Sequence, residues 1–226
     1  MLTFEQKQRL KELLPEYLLL SDFPDAARLK GQGAIWAETA GEVLAAAELG
    51  LGRRDIFFSA PNQESLAGVL DKCRIVANSM EELAAINEAA KPAAAAGNLT
   101  MVGLRLVADG FEDSTHLGIT LKQLQGMVHD IKQLKAISVC GCIVVGDVEG
   151  LHGKELGKYV RSTYQTAKQM TYILPCSMPY IVVGNCLEAI ARNEAEHPED
   201  FEEFLTAANI VGMQNSTAFY ADYYVQ

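Results

Sequence analysis

The sequence predicts an α/β chain that closes into one (β/α)8 barrel of the TIM type. Short, almost wholly apolar runs alternate with amphipathic stretches along the chain, as expected of parallel strands buried under a layer of helices. Eight such runs can be counted, which favours closure over an open doubly wound sheet, the structural alternative. The 226 residues suit a barrel, which commonly occupies about 200–250 residues as one domain.

Taken in order, residues 4–14 read as a helix and 17–21 as the first buried strand. A short helical stretch at 25–31 precedes a strand at 33–38. An Ala/Leu helix at 41–52 is stopped by glycines. The third strand is 55–60, ended by Pro61-Asn62, and 62–72 reads as a helix before the strand at 73–78. The helix at 79–91 opens with a capping box, Ser79 to Glu82, and the alanine-rich residues after it read as a loop. Then come a strand at 99–109, a polar excursion at 110–118, a helix at 120–134, a strand at 136–147 and a helix at 152–171. The seventh strand is 178–185. Residues 186–208 are mainly helical, interrupted near Pro198. NIVGMQN (209–215) reads as the last strand, and an aromatic tail carrying Tyr220, Tyr223 and Tyr224 closes a single domain over 1–226.

A formal charge of -10 and the lack of a basic run argue against nucleic acid as a partner. No apolar run approaches 18 residues and the N-terminus is charged and helical, so no membrane span or export is expected. Five cysteines in no paired CxxC pattern read as free thiols of a reducing cytoplasm. Cys140 and Cys142 alternate along one strand, which would place them on one face. No metal is expected. No G-x-G-x-x-G follows a strand and no phosphate-binding G-x-x-x-x-G-K-[ST] occurs, so a nucleotide site is weakly supported.

Several segments then fall in a telling order. YLLLSD (17–22) looks like a Y-A-V-K-A-N strand, and residues 34–63 are similar to an "AS…E…A…G…I.F..P.K" stretch. RIVANSMEELAAI (74–86), VGLRLVAD (102–109), HLGI (116–119), SVCGCIVVGD (138–147) and PYIVVGN (179–185) follow in turn. Together they resemble the pyridoxal-phosphate-binding barrel family, that is, the alanine racemase N-terminal domain and the fold-type III ornithine and diaminopimelate decarboxylases. The resemblance covers about residues 10–215 and leaves no counterpart for that family's C-terminal β domain, which helps complete its active site across a dimer.

The resemblance implies a cofactor lysine where this chain has Leu20, which carries no nucleophile. Lys30 lies ten residues further on and is a poor substitute. The family's phosphate-binding glycine triplet falls on Val182-Val183-Gly184, and its phosphate serine on Asp147, whose carboxylate would repel a phosphate. Its ring-stacking histidine aligns with Val144, allowing a one-residue gap, and an acidic residue of strand two with Trp36. These losses lead to an expectation of no cofactor, with pyridoxal phosphate the alternative that the resemblance implies.

Candidate ligand-binding residues are Glu42, Arg105, Asp147, Gly184 and Asn185; catalytic residues are not assigned. Glu42 falls where the resemblance places a family glutamate after strand two, or it closes a helix cap with Thr39. Arg105, inward on an apolar strand, must be paired: it binds an anionic ligand or neutralises Glu38, Glu42 or Asp147. Gly184 reads as a backbone-approach point or a turn glycine. Asp147, Glu149 and His152 are spaced to supply a metal or to sit in a solvated loop. Cys186, at a helix start, is a thiolate candidate or a buried small residue. His116 lies in a loop whose family counterpart is near the cofactor.

The leading expectation is an alanine racemase-like pseudoenzyme that has lost the pyridoxal-phosphate reaction yet holds a small anion or amino acid at the strand C-termini. The alternatives are an active racemase- or decarboxylase-like enzyme, a metal-assisted acid–base enzyme using Glu38, Glu42, Arg105, Asp147 and His152, and a partner-binding structural protein. The C-terminal aromatics suggest a homodimer.

Overall fold

The structure is a computed structural model and describes residues 2–29, 33–59, 66, 68–215 and 221–226. Lys30 and Tyr220 lie outside these residues, as do residues 62–65 and 67 of the expected helix at 62–72. Eight strands form a closed, wholly parallel barrel: β1 (Tyr17–Asp22), β2 (Gly33–Ala37), β3 (Ile56–Ser59), β4 (Arg74–Ala77), β5 (Thr100–Val107), β6 (Ile137–Val145), β7 (Tyr180–Val183) and β8 (Asp222–Val225). Closure comes from β8 lying beside β1, with Tyr17 opposite Tyr223 and Leu19 opposite Val225.

The helices form the outer layer: α1 (Phe4–Leu13), α2 (Ala26–Leu29), α3 (Ala40–Glu48), α4 (Met80–Ala95), α5 (Leu121–Ile131), α6 (Lys154–Ile173), α7 (Cys186–Asn193) and α8 (Asp200–Asn215). Among the described residues no helix is long and apolar enough to cross a membrane.

Strand alternation sorts side chains into two cores. Leu20, Ala34, Phe57, Val76, Ile143, Val145, Tyr180, Val182 and Tyr224 fill the barrel. Their neighbours in sequence, such as Ile35, Ile75, Leu104, Val144, Ile181 and Tyr223, pack outward under the helices. The interior is therefore a packed core with its working end at the strand C-termini.

Several expectations are corrected. The eighth strand is not 209–215, which belongs to α8. Phe204, Ala207, Ala208 and Val211 are all buried, a spacing of three and four that one helix face produces and a strand does not. The aromatic tail supplies the strand instead, with Tyr223 facing the helices and Tyr224 the barrel interior. Of the expected helix at 62–72, the described part is a short 3-10 and turn segment. Helix α4 continues through Pro92 to Ala95, carried by alanines with the highest helix propensity.

Cys140 and Cys142 do not share a face. The register of β5 on β6 slips between Val102 and Leu104, and Gly141 takes φ 71°. This bulge reverses the alternation: Val139 packs outward, and so do Cys142 and Val144. Val144 therefore faces the helices, and the interior positions beside it are Ile143 and Val145.

Candidate functional site at the barrel mouth

The last inward residue of each strand lines the mouth. On β3 and β4 these are Ser59 and Asn78, the latter following Ala77, which lies opposite Leu104. Asn78 and Arg105 are thus lateral neighbours on adjacent strands, which run about 4.8 Å apart. The Asn78 side-chain amide donates to Ser59 Oγ at 2.9 Å and to Glu82 Oε1 at 3.4 Å, and its backbone N–H donates to Glu82 Oε2 at 2.8 Å. Two buried atoms there have no partner: Asn78 Oδ1, an acceptor, and Arg105 Nε, a donor. Burial pushes the Glu82 carboxyl above its usual value, against the Asn78 hydrogen bonds and the Arg105 charge. Burial likewise lowers Arg105, against Asp113, Tyr159 and Glu82.

Arg105 is the one residue of the five sequence candidates that joins this cluster. Its charged neighbours are Glu82 and Asp113, not Glu38, Glu42 or Asp147. The Glu42 carboxylate accepts from the Glu38 N–H at 2.8 Å while Thr39 Oγ1 accepts from the Glu42 N–H, so it caps α3. Asp147 accepts from the N–H and hydroxyl of Ser114, each at 2.9 Å, and ties the 110–118 excursion to β6. Gly184 is a packing glycine: a Cβ would lie 2.8 Å from Val145 Cγ1 and 3.0 Å from Val144 O. Asn185 begins α7 in the left-handed region, φ 63°, without capping it through its side chain. The Gly184 N–H donates to Val144 O and the Leu187 N–H to Gln226 O, so these amides are already engaged.

The other candidates scatter. Glu149 pairs with Arg192 at 2.9 Å and His152 with Asp200 at 2.8 Å, so the set spaced for a metal turns to three different partners. Cys186 is fully buried, and burial pushes its thiol up, which disfavours a thiolate. His116, φ 53°, is exposed and lines a cavity with Asp113, Gln123 and Asp147.

Ser59, Asn78 and Glu82 were not legible as site residues. A signal exists in retrospect: Glu38-Thr39-x-x-Glu42 and Asn78-Ser79-x-x-Glu82 are the same strand-to-helix device. In each, the residue before the cap ends an inward-facing row.

Asp113 anchors the loop beside Arg105. Burial would raise its carboxyl, but the Thr115 hydroxyl, the Gly118 and Thr115 N–H groups and Arg105 together hold it below the usual carboxylate range. A depressed folded pKa contributes stability above the unfolded value, about 3.9, and loses it as pH falls through the folded value. In urea denaturation, Asp113→Asn is expected to be less stable than the wild type at neutral pH, with the gap closing toward about pH 3. An equal gap at both ends would contradict this assignment.

Against solved structures the chain aligns over nearly its whole length. The diaminopimelate decarboxylase of M. jannaschii in complex with L-lysine superposes with a TM-score of 0.74 at 13% identity, over 99% of this chain and 57% of that one. The ornithine decarboxylase of Entamoeba histolytica gives 0.69 at 16%, over 98% and 61%. The arginine decarboxylase of Paramecium bursaria Chlorella virus gives 0.69 at 11%, over 98% and 60%. The fold is that of the fold-type III pyridoxal-phosphate barrels. The chain spans about three fifths of the length of these decarboxylases. No protein-family model and no curated protein sequence matches it.

These neighbours correct the expectation of no cofactor, because the barrels that share this shape are pyridoxal-phosphate-dependent decarboxylases. The residues present suit the charge of such a group at Arg105, whose Nε lacks a partner. On β1 the inward position Leu20 is buried and carries no amine.

Proposed function

We propose that this barrel binds a small amino-acid-like ligand at its C-terminal mouth, and that it does not carry out the racemase or decarboxylase reaction through a lysine on β1. The observation that carries the reading is the unmet donor and acceptor at the ends of two adjacent strands, Arg105 Nε and Asn78 Oδ1. Buried polar atoms are rarely left unpaired, and an α-amino acid offers a carboxylate to the first and an ammonium to the second and to Glu82. Leu20 supports the second half of the proposal. The neighbours' ligands, L-lysine and agmatine, make L-lysine a suitable probe.

Two measurements test it. Calorimetric titration with L-lysine is expected to show binding that Arg105→Gln weakens by about tenfold or more, the loss of one charge-assisted contact. Incubation with pyridoxal phosphate, borohydride reduction and intact mass are expected to show no covalent gain. A reduced adduct on a specific lysine would reject the loss of covalent chemistry. Equal L-lysine affinity in wild type and variant, or no binding in either, would reject the mouth as its site.

A further inference from the structure

The opposite end of the barrel carries an unusual charge. Arg74 points inward from the start of β4, and its guanidinium carbon lies 4.6 Å from the Tyr180 ring centroid, 5.2 Å from that of Tyr224 and 5.3 Å from that of Phe57. One nitrogen pairs with Asp222 at 2.9 Å. The other, Nη1, is buried with no partner, and so is the Tyr180 hydroxyl. The Arg74 side chain is only 10% exposed, so the protein holds a cation and two unmet hydrogen-bonding atoms in its floor.

A cavity of about 290 Å³ opens there, lined by Arg74, Tyr180, Met101, Cys140 and Pro179, with Arg53 and Arg54 at its rim. Three of the chain's eight arginines thus meet at one place in a protein of net charge -10. The rim is fixed by the fold: Arg53 Nε donates to Cys73 O at 3.2 Å, and the Tyr224 hydroxyl donates to Arg54 O at 3.2 Å. Among the described residues no carboxylate lines this cavity, and Asp222 balances only Arg74. Two positive charges therefore face a small chamber with largely apolar walls.

We propose that this floor cavity is a second small-molecule site, taking a compact organic anion: an apolar body against Met101, Pro179 and Tyr180, and a phosphate or carboxylate between Arg53 and Arg54. Planar guanidinium groups grip such anions through paired hydrogen bonds. The mouth and the floor lie at opposite ends of the barrel, with the inner core between them, so the two sites bind independently.

Phenyl phosphate serves as the probe, followed by calorimetry on the full chain. Binding is expected in the wild type, weakened by about tenfold or more in the exposed double variant Arg53→Gln/Arg54→Gln and unchanged in Arg105→Gln. Inorganic phosphate is expected to bind at least about tenfold more weakly than phenyl phosphate, for want of the apolar body. Retained melting temperature in the double variant shows that it folds. Absence of binding to the wild type, undiminished binding in the double variant, loss of binding in Arg105→Gln, or equal affinity for inorganic phosphate would each overturn the proposal.

Discussion

Gly103→Ala is expected to destabilise the barrel by about 2–3 kcal/mol, and Tyr180→Phe to return most of that loss. A Cβ at Gly103 would lie 1.9 Å from the Tyr180 hydroxyl oxygen and 3.0 Å from the ring carbon that bears it. The ring cannot retreat easily. Phe57 meets it edge-on with centroids 5.1 Å apart, and Arg74 lies against it. Overpacking of this kind typically costs about 1–3 kcal/mol. The hydroxyl is buried without a partner, so Tyr180→Phe alone is expected to be neutral or mildly stabilising.

Gly141→Ala makes the contrast. Its Cβ would meet ring carbons at 2.5–2.7 Å, and its φ of 71° adds roughly 1–2 kcal/mol of left-handed strain. The expected loss is about 3–5 kcal/mol, with no rescue by Tyr180→Phe because the ring remains. For a chain of this size each kcal/mol lowers the melting temperature by about 2–4 °C, so thermal melts of the three single variants and two double variants suffice. Rescue of both glycines alike, or of neither, would show that the Tyr180 hydroxyl is not what fills the space at Gly103.

Asp200→Ala is expected to cost about 2–4 kcal/mol, for the two hydrogen bonds lost with a buried carboxylate. The residue is 1% exposed. One carboxylate oxygen lies 2.8 Å from His152 Nδ1, and the other accepts from the Gly153 N–H at 2.7 Å. Gly153 precedes the first residue of α6 and takes φ 50°, so a single carboxylate clips the start of α6 to the start of α8. These two helices pack along each other and over the barrel. Their joint loosening is what chemical denaturation would read. Asp200→Asn keeps an acceptor for Gly153 and is expected to lose about half as much. An Asp200→Ala variant within about 1 kcal/mol of the wild type would mean that the contact adds nothing to the docking of α6 and α8.

Much of the barrel was legible because burial on two faces leaves a local record. The first seven strands are found where apolar runs occur, and the caps at Thr39, Ser79 and Thr120 sit where Ser/Thr precedes a helix. The eighth strand was misplaced because NIVGMQN and DYYV are both short apolar segments. The choice between them depends on α8 packing Val211 beside Phe204 and Ala207 rather than on either segment's own pattern. Cys140 and Cys142 were misread for a related reason: one glycine in a bulge reverses which neighbours face inward, and two-residue counting carries no sign of it.

The mouth divides in the same way. Arg105 stands out as a charge in an apolar strand, so its residue type marked it, whereas Leu20 was marked only by the family resemblance. The partners of Arg105 did not stand out. Glu38, Glu42 and Asp147 were near in motif space, yet the Glu42 and Asp147 carboxylates accept from the backbone N–H groups of Glu38 and Ser114, and the carboxylates whose charge acts on Arg105 are those of Glu82 and Asp113. The Arg74–Asp222 pair joins residues 148 apart and has no local signature at all. Sequence by itself determined the strand–helix alternation, the polar ends of the strands and the lack of a lysine at position 20, since each follows from the burial or chemistry of single segments. Only the tertiary structure decided which charges meet, because strand register and barrel closure, not proximity along the chain, bring them within reach.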